Sequence, residues 1–299
     1  MSVLEAIILG VVQGAAEFLP VSSSGHLQIA KEALGVTLTD NLAFDMALHL
    51  ATVLATVVVL WREVAELFTG LGRGLTKRQY NPQVAYILKL VLSMVPVALV
   101  GLLLRDELNA MLSSPHILLV VGAMLIATAG LLMFASRADK TGKTGKTSEA
   151  DETDGACRAH EVKSGPKGEI PYRGEISYRD AFIIGIGQAF AAMPGLSRSG
   201  TTIATGLLLG NKKAAVARFS FLMIIAPIVG EALLDIARGG FGGGIGVGMV
   251  PLAAGFAAAF AVGCLACKFM IEMVKRSKLV WFAAYCAVVG VATVVYYFV

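Results

Sequence analysis

The sequence predicts an all-α polytopic membrane protein made of two related halves in inverted topology. Hydrophobic residues make up 56% of the 299 residues and charged residues only 15%, with a mean hydropathy of +0.73. Soluble domains carry about 25% charged residues. An ungapped repeat adds to this, because residues 10–30 and 185–205 share a polar pattern rich in Gly, Pro and Ser. In membrane proteins, paired broken helices in corresponding halves point to a binding site.

Six apolar stretches approach the roughly 20 residues that a helix needs to span the hydrocarbon core. They lie near 44–61, 85–104, 116–135, 214–234, 248–270 and 280–298. The chain has no basic residue before Lys31, and a cleavable signal peptide needs a basic start. We therefore expect residues 1–19 to belong to the mature structure.

Each half begins with an apolar segment too broken to span simply, at about 3–35 and 180–210. The interruptions are Leu19-Pro20, Ser22–Gly25, Pro194-Gly195 and Ser197–Gly200. Pro and Gly disrupt helices, and freed backbone groups are tolerated at membrane depth only against protein or a wet cavity. Both segments are thus predicted to be re-entrant helical hairpins, each followed by three transmembrane helices. Because three is odd, the second half is expected to be inverted.

A polar segment divides the chain into a first membrane repeat, 1–135, a cytoplasmic connector, 136–178, and a second repeat, 179–299. In this arrangement one face carries most of the basic residues, which marks it as cytoplasmic. These are Arg62, Arg73, Lys77, Arg78, the connector, Lys212, Lys213, Arg218, Lys275, Arg276 and Lys278; the other face has little beyond Lys31, Arg105 and Arg238. Both termini are then outside, and the hairpin tips are expected to meet near the midplane.

The first copy of the repeat, residues 10–30, contains an acid, a serine run and a histidine. Gln13 and Glu17 share a helix face, and an ionisable group in an apolar helix is costly and usually functional. After Pro20, the turn Ser22–His26 offers hydroxyls and backbone N–H groups to an anion. His26 could act as general acid or base. The alternatives are a carboxyl satisfied by the serines and serines that only cap a helix.

The second copy, residues 185–205, supplies a cation. Arg198 is predicted at the hairpin tip, and its planar fork suits phosphate or carboxylate. A salt bridge to Glu17 is the alternative. Position by position, Glu17 corresponds to Ala192, Ser23 to Arg198 and His26 to Thr201. The two copies therefore complement each other in one composite site, a division that a symmetric transport pathway would not need.

Asp45 and His49 form a second i,i+4 polar pair, in the helix after the first hairpin. Asp45 could add a carboxylate to the same cavity. The alternative is a polar start of an interfacial helix.

These motifs resemble the BacA/UppP family of undecaprenyl-diphosphate phosphatases, over essentially the whole chain. One motif is an (E/Q)xxxE followed by a Ser/His run, here Gln13 to His26, and the other is PGxSRSxxT, here Pro194 to Thr202. The resemblance implies an enzyme of the bacterial inner membrane that hydrolyses undecaprenyl diphosphate to undecaprenyl phosphate and phosphate. It also implies recycling of the cell-wall lipid carrier, bacitracin resistance, an active site open to the outside, and a divalent cation, Mg²⁺ or Ca²⁺.

The resemblance also implies roles for individual residues. The catalytic group is Glu17, Ser23, His26 and Arg198; the phosphate-binding group is Ser22, Ser24, Ser197, Arg198, Ser199 and Thr202; the metal ligands are Gln13, Glu17 and Asp45. Gln13 stands where many relatives have Glu, and Asp45 where Glu is expected. Ser23 attacks with help from His26, or His26 or Glu17 activates a water; the sequence leaves both routes open, with a slight preference for Ser23.

Two other functions compete with hydrolysis. Inverted repeats and broken helices are also the architecture of secondary transporters, so a transporter or flippase for a phosphorylated lipid is the alternative. The soluble-type acid-phosphatase fold shares SGH and SR elements, but the chain lacks its Lys-x6-Arg-Pro and downstream His-x3-Asp elements. The expected partners are a polyprenyl diphosphate and membrane lipids, with no nucleic acid. The oligomeric state is left open.

Overall fold

The protein is all-helical in the computed structural model, which describes residues 1–36, 42–77, 81–140, 176–237, 247–276 and 278–299. These residues form thirteen helices and no strand: α1 Val3–Phe18, α2 Ser23–Leu34, α3 Leu42–Val59, α4 Trp61–Lys77, α5 Pro82–Leu103, α6 Arg105–Leu112, α7 Ile117–Lys140, α8 Tyr178–Phe190, α9 Arg198–Leu208, α10 Lys213–Met223, α11 Ile225–Ala237, α12 Met249–Lys275 and α13 Leu279–Phe298. The predicted all-α class is confirmed.

Within that part of the chain, five segments are long and apolar enough to cross a membrane. They are Pro82–Leu103, Ile117–Ala138, Lys213–Leu234, Met249–Lys275 and Leu279–Phe298. A sixth candidate is the pair formed by α3 and α4, which bends by 81° at a short break. The six apolar stretches of the sequence correspond to these segments, so the polytopic prediction is confirmed. The orientation of the two halves stays a prediction.

Both broken segments form pairs of packed helices. In the first, α1 ends at Phe18, just before Pro20, and α2 begins after Ser22. In the second, α8 ends at Phe190 and α9 begins after Ser197. Because the two helices of each pair pack against each other, each segment is a helical hairpin whose loop holds the Pro, Gly and Ser residues.

The two halves exchange their hairpins. The first helix of the chain, α1, packs mainly against α12 of the second half, and α8 packs mainly against α5 of the first half. Both contacts need a glycine. A Cβ on Gly10 would lie 2.3 Å from the carbonyl oxygen of Gly255, and one on the matching Gly185 would lie 2.2 Å from that of Ser93. Small residues allow helix backbones to approach in this way in membrane proteins.

Aromatic packing also joins the halves beneath the hairpin tips. The ring of Phe18, at the end of α1, contacts that of Phe221 edge-to-face, with centroids 5.6 Å apart. Both rings are almost fully buried in one apolar cluster. This cluster fixes the C-terminal end of α1, where the candidate site residues begin.

The polar connector predicted at 136–178 falls mostly outside the described residues. At its edges, α7 continues to Lys140 and α8 begins at Tyr178. The helix therefore runs about a turn further than the apolar stretch predicts, because its last residues are polar but compatible with a helix. The structure also contains α4 and α6, which the apolar stretches do not predict.

Candidate active site

The loops of the two hairpins meet and enclose a cavity. Its walls come from both copies of the repeat and from α3: Ala16, Glu17, Ser22, Ser23, Ser24, His49, Ala191, Leu196, Ser197, Arg198 and Ser199. Seven residues predicted for the site from sequence therefore line one space. The acid of one copy, Glu17, and the cation of the other, Arg198, thus line the same cavity.

The contacts between the loops are reciprocal. A Cβ on Gly25 would lie 3.3 Å from the Cα of Gly195, and one on Gly200 would lie 3.3 Å from the Cβ of Pro20. Gly25 corresponds to Gly200, and Pro20 to Gly195, so the same contact occurs twice with the copies exchanged. Such reciprocity is the mark of a two-fold arrangement. Each loop is therefore shaped to fit the other.

Each loop also ends in the same helix cap. Ser22 accepts a hydrogen bond from the Gly25 backbone N–H at 3.2 Å, and Ser197 accepts one from that of Gly200 at 3.1 Å. Serine satisfies first-turn N–H groups in this way. The remaining N–H groups at the starts of α2 and α9 lie beside the cavity, where helix N-termini favour an anion.

The carboxylate of Glu17 is the centre of the hydrogen bonding. It is buried, and its Oε2 accepts hydrogen bonds from Gln13 Nε2 at 2.8 Å and from Ser23 Oγ at 2.6 Å. The Nε2 atom of His49 lies 3.8 Å from the same oxygen. The short bond orients the Ser23 hydroxyl and places a proton acceptor directly against it.

Arg198 is the first residue of α9 and lines the cavity. Its guanidinium acts electrostatically on Glu17, but it forms no ion pair or hydrogen bond within the part of the chain that the structure describes. The salt bridge to Glu17 that the sequence left open is therefore not formed. The planar fork of Arg198 remains available for an oxyanion such as phosphate.

The backbone is strained at Ser22. Its φ is 71° and its ψ 99°, and it is the one non-glycine residue with positive φ among the residues described. Such conformations cost roughly 1–3 kcal/mol and concentrate at functional sites. The conformation is held by the cap to Gly25 and by the Ser22 carbonyl, which accepts from the His26 backbone N–H at 3.1 Å. It places Ser23 and Ser24 at the cavity wall.

Comparisons with known proteins show the family of this chain. A family model described as bacitracin resistance protein BacA matches residues 6–292. The chain belongs to the BacA family. It is 47% identical to an undecaprenyl-diphosphatase of Parabacteroides distasonis over 297 residues, 98% of both chains. It is also 47% identical to one of Bacteroides fragilis over 298 residues, 99% of this chain and 98% of that one. A third, of Bacteroides thetaiotaomicron, is 46% identical over 99% of both chains.

His26 does not line the cavity of this BacA-family chain. Its Nδ1 lies 2.8 Å from the carbonyl oxygen of Ser22, and its Nε2 lies 2.9 Å from the hydroxyl of Tyr285. The ring also stacks on Tyr285, with centroids 5.5 Å apart. Both nitrogens thus have partners, and the structure does not bring His26 together with Glu17 and Arg198. Its catalytic role stays a prediction.

Three other predicted site residues, Thr202, Asp45 and Gln13, also lie outside the cavity wall. The Thr202 hydroxyl is buried within α9 and donates to the carbonyl oxygens of Arg198 at 3.0 Å and Ser199 at 3.3 Å. The Asp45 carboxylate is held by Lys31, whose Nζ lies 2.5 Å from Oδ2. Lys31 is only 2% exposed and pairs with Asp45 inside the protein.

The predicted metal ligands fit a divalent cation in part. Among the described residues, no group of three His, Cys, Asp or Glu side chains is placed to hold a metal ion. Glu17 supplies one carboxylate, and the adjacent Gln13 has a buried Oε1 without a hydrogen-bond partner. Mg²⁺ often binds one or two carboxylates and takes its other ligands from water and substrate phosphates. Glu17 and Gln13 fit that mode. Asp45 does not line the cavity, and Lys31 binds its Oδ2, although its Oδ1 has no hydrogen-bond partner among the described residues.

The two copies diverge at their glutamines. Gln188 corresponds to Gln13 and is equally buried, but neither of its amide atoms has a hydrogen-bond partner among the described residues. The residue four positions on is Ala192, where the first copy has Glu17. The second copy therefore keeps the amide of the motif without the carboxylate that it would contact.

Sequence reasoning missed two residues of this region. His49 lines the cavity, although of the pair Asp45 and His49 the sequence analysis chose Asp45. The i,i+4 spacing predicts a polar face on α3, but it does not indicate whether Asp45 or His49 lies near Glu17. Tyr285, which holds His26, gave no local signal, because it lies 259 positions later in the chain.

Proposed function

We propose that this chain is an integral membrane phosphatase that hydrolyses undecaprenyl diphosphate to undecaprenyl phosphate and inorganic phosphate. The observation that carries the proposal is the cavity in which Glu17 and Ser23 of one copy face Arg198 of the other. The undecaprenyl-diphosphatases named above share this chain's full length, which supports the same activity here. The product recycles the cell-wall lipid carrier, and its regeneration accounts for bacitracin resistance.

Cleavage of a diphosphate needs positioning and stabilisation of negative charge more than covalent chemistry from the protein. The fork of Arg198, which has no side-chain partner among the described residues, would bind two oxygens of the terminal phosphoryl group. The hydroxyls of Ser24 and Ser197 and the N–H groups at the starts of α2 and α9 surround the same space. The site therefore has hydrogen-bond donors from both copies for one phosphoryl group.

Two routes of attack are compatible with this site. In the first, Ser23 Oγ transfers its proton to Glu17 and attacks the terminal phosphorus. The bond from phosphorus to the bridging oxygen breaks, undecaprenyl phosphate leaves, and water then hydrolyses the phosphoserine. In the second, Glu17 takes the proton of a water that attacks the same phosphorus and releases phosphate directly. We favour Ser23, because its hydroxyl is oriented by a 2.6 Å bond to Glu17.

A divalent cation, Mg²⁺ or Ca²⁺, is proposed to bind with the diphosphate, held by Glu17 and Gln13 Oε1. When bound, it supplies further neutralisation of phosphate charge.

We further propose that the hairpins are re-entrant, that the halves are inverted and that the site opens to the outside of the inner membrane. The exchange of α1 and α8 between halves and the reciprocal loop contacts support inversion. The basic residues of one face support its cytoplasmic position. The prenyl tail would then stay in lipid, where each CH₂ contributes about 0.8 kcal/mol, while only the diphosphate enters the cavity.

The test is phosphate release from undecaprenyl diphosphate by purified protein in detergent, with Mg²⁺ or with EDTA. Wild type should release phosphate in a metal-dependent manner, and folded Glu17→Ala and Arg198→Ala variants should not. The reciprocal repeats would also suit a transporter or flippase. Detergent solution has no separate compartments, so phosphate release there cannot be explained by transport and would indicate an enzyme. Folded wild type that releases no phosphate would overturn the proposal and favour lipid translocation.

A further inference from the structure

The helix α4 leaves a membrane-spanning helix at a sharp angle. α3 corresponds to the first apolar stretch of the sequence, and α4 follows it after a bend of 81°. The 18 residues of α3 form a helix about 27 Å long, which nearly covers the hydrocarbon core. A helix that turns by almost a right angle after such a span runs along the membrane surface.

One face of α4 is anchored in the protein. Val64 and Leu67 are buried in the apolar cluster that lies beneath the hairpin tips. On the same helix, the carbonyl oxygen of Gly70 accepts a hydrogen bond at 2.8 Å from Nδ2 of Asn81, the residue that caps α5. These contacts fix the helix to the body of the protein, so its other faces have a defined direction.

The face next to this anchor is apolar and exposed. Trp61 and Phe68 lie about two turns apart on one side of α4, and they are 62% and 71% exposed. Large aromatic side chains, Trp above all, are enriched where the lipid headgroups meet the acyl chains. On a helix that runs along the membrane surface, these two rings fit that boundary.

The opposite edge of this apolar stripe is basic. Arg62 and Arg73 lie about three turns apart, are exposed, and form no ion pair within the part of the chain that the structure describes. The acids of the helix are engaged elsewhere: Glu63 lies 3.7 Å from Arg218 of α10, and Glu66 has an interaction of its own. Two positive charges thus border the exposed rings, an arrangement that suits anionic headgroups.

We propose that α4 is an interfacial helix that binds the surface of an anionic bilayer. Trp61 and Phe68 enter the boundary between headgroups and acyl chains, and Arg62 and Arg73 bind anionic headgroups beside them. In the orientation proposed above, this surface belongs to the cytoplasmic leaflet. The inference does not depend on the phosphatase function, because the lipid that it concerns is the surrounding bilayer and not the substrate.

The depth of Trp61 tests the apolar contact. The chain has two tryptophans, so Trp281→Phe leaves Trp61 as the single fluorophore, and Trp281→Tyr serves if that variant does not fold. In bilayers with lipid brominated at one depth, bromine within about 5–10 Å of the headgroups should quench Trp61 most. Unquenched fluorescence, or strongest quenching by bromine at the chain end, would overturn the proposal.

The matched control is Trp61→Phe, which leaves Trp281 as the fluorophore. Trp281 is 72% exposed on the spanning helix α13, so brominated lipid should quench it as well. This control shows that the brominated lipid reaches the protein. No step uses substrate, so the result holds whether or not the protein releases phosphate.

A competition between headgroups tests the role of the two arginines, in the Trp281→Phe background. Brominated phosphatidylglycerol should quench Trp61 more than brominated phosphatidylcholine, with a preference of up to about fivefold for each Arg. Arg62→Gln/Arg73→Gln should lose this preference, whereas Arg62→Lys/Arg73→Lys keeps the charge and should keep it. Salt at about 1 M, where the Debye length is about 3 Å, should also lower it. Equal quenching by the two lipids with both arginines present would overturn the headgroup contact.

Discussion

The hydroxyl of Ser199 donates a hydrogen bond to the backbone carbonyl of Leu19, 3.0 Å away in space and 180 positions earlier in the chain. Leu19 is the residue that directly follows α1, and Ser199 lies in the first turn of α9. One bond thus joins the end of the acid-bearing helix to the start of the helix that carries Arg198. The distance between the two halves of the site depends on it.

Replacing Ser199 by Ala should loosen this connection. The Leu19 carbonyl would keep only the hydrogen bond from the Val21 backbone N–H, and the loss of one hydrogen bond costs about 0.5–1.5 kcal/mol. We expect a lower unfolding temperature and reduced phosphate release, measured in the same detergent. Ser114→Ala is the control, since its hydroxyl accepts only an exposed bond from His116. Equal unfolding temperatures for the two variants would contradict the prediction.

The glycines between α1 and α12 should tolerate no side chain. Gly10→Ala places a Cβ 2.3 Å from the carbonyl oxygen of Gly255, so the helices must separate and lose their packing. Gly130→Ala on α7 is the matched control, because nothing lies within 4 Å of its added Cβ. For Gly130→Ala we expect the free energy of unfolding to stay unchanged or to rise by up to about 1 kcal/mol, because Ala has the higher helix propensity. Thermal unfolding of both variants checks this, and an undisturbed Gly10→Ala would show that the close approach is not required.

The pair formed by Lys31 and Asp45 should behave as a partly buried ion pair, because 26% of the Asp45 side chain is exposed. Lys31→Met should therefore cost less free energy of unfolding than the roughly 3–5 kcal/mol of a fully buried pair, and the double variant Lys31→Met/Asp45→Leu should recover most of the loss. Equilibrium unfolding measures both.

The same pair distinguishes a structural Asp45 from a metal ligand. If its role is the ion pair, Asp45→Asn should lower stability while the Mg²⁺ concentration for half-maximal activity stays unchanged. A shift of that concentration to higher values, with stability retained, would restore Asp45 to the metal site.

Ser23 should carry the phosphoryl group. Brief incubation of wild type with terminally labelled undecaprenyl diphosphate, followed by denaturation, should leave label on Ser23. Ser23→Ala should trap none and lose at least about 10³-fold in kcat, as expected when a nucleophile acting with its base is removed. Ser23→Ala with full activity would establish direct attack by water, activated by Glu17.

Replacement of Gln188 or Gln13 by Met should affect the protein in different ways. Gln188→Met removes two buried amide atoms that lack partners in the described part of the chain, and should be neutral or stabilising. Gln13→Met removes the donor to Glu17 and should reduce phosphate release. Unfolding temperature and activity are measured for both. Loss of activity in Gln188→Met, at unchanged stability, would mean that the second copy retains a function of its own.

The membrane-spanning helices were predictable from sequence because every spanning segment must satisfy its own backbone and present apolar side chains. The hairpins were predictable from Pro20 and from the Ser and Gly runs, which no spanning helix tolerates easily. The sharing of one site by Glu17 and Arg198 followed from the complementary differences between the copies. These are properties of composition and spacing, which a single sequence contains.

Side-chain direction could not be predicted in the same way. Asp45 and His49 lie on one face of α3, but they have different partners. Asp45 pairs with Lys31, whereas His49, one turn later, lies near Glu17. His26 is turned away by Tyr285, from the last helix, and the positive φ of Ser22 arises from bonds around it. Each depends on tertiary contacts, for which residue order offers no signal.

The packing of α1 on α12 also sets an order of events on the ribosome. About 230 residues separate Phe18 from Met249, which at 5–20 residues per second amounts to roughly ten to fifty seconds of synthesis. Through that interval the first helix made has glycines facing a partner that does not yet exist. During that interval it can pack only against nearer helices such as α2 and α3. A chain that stops before α12 lacks the helix against which the Glu17-bearing α1 mainly packs.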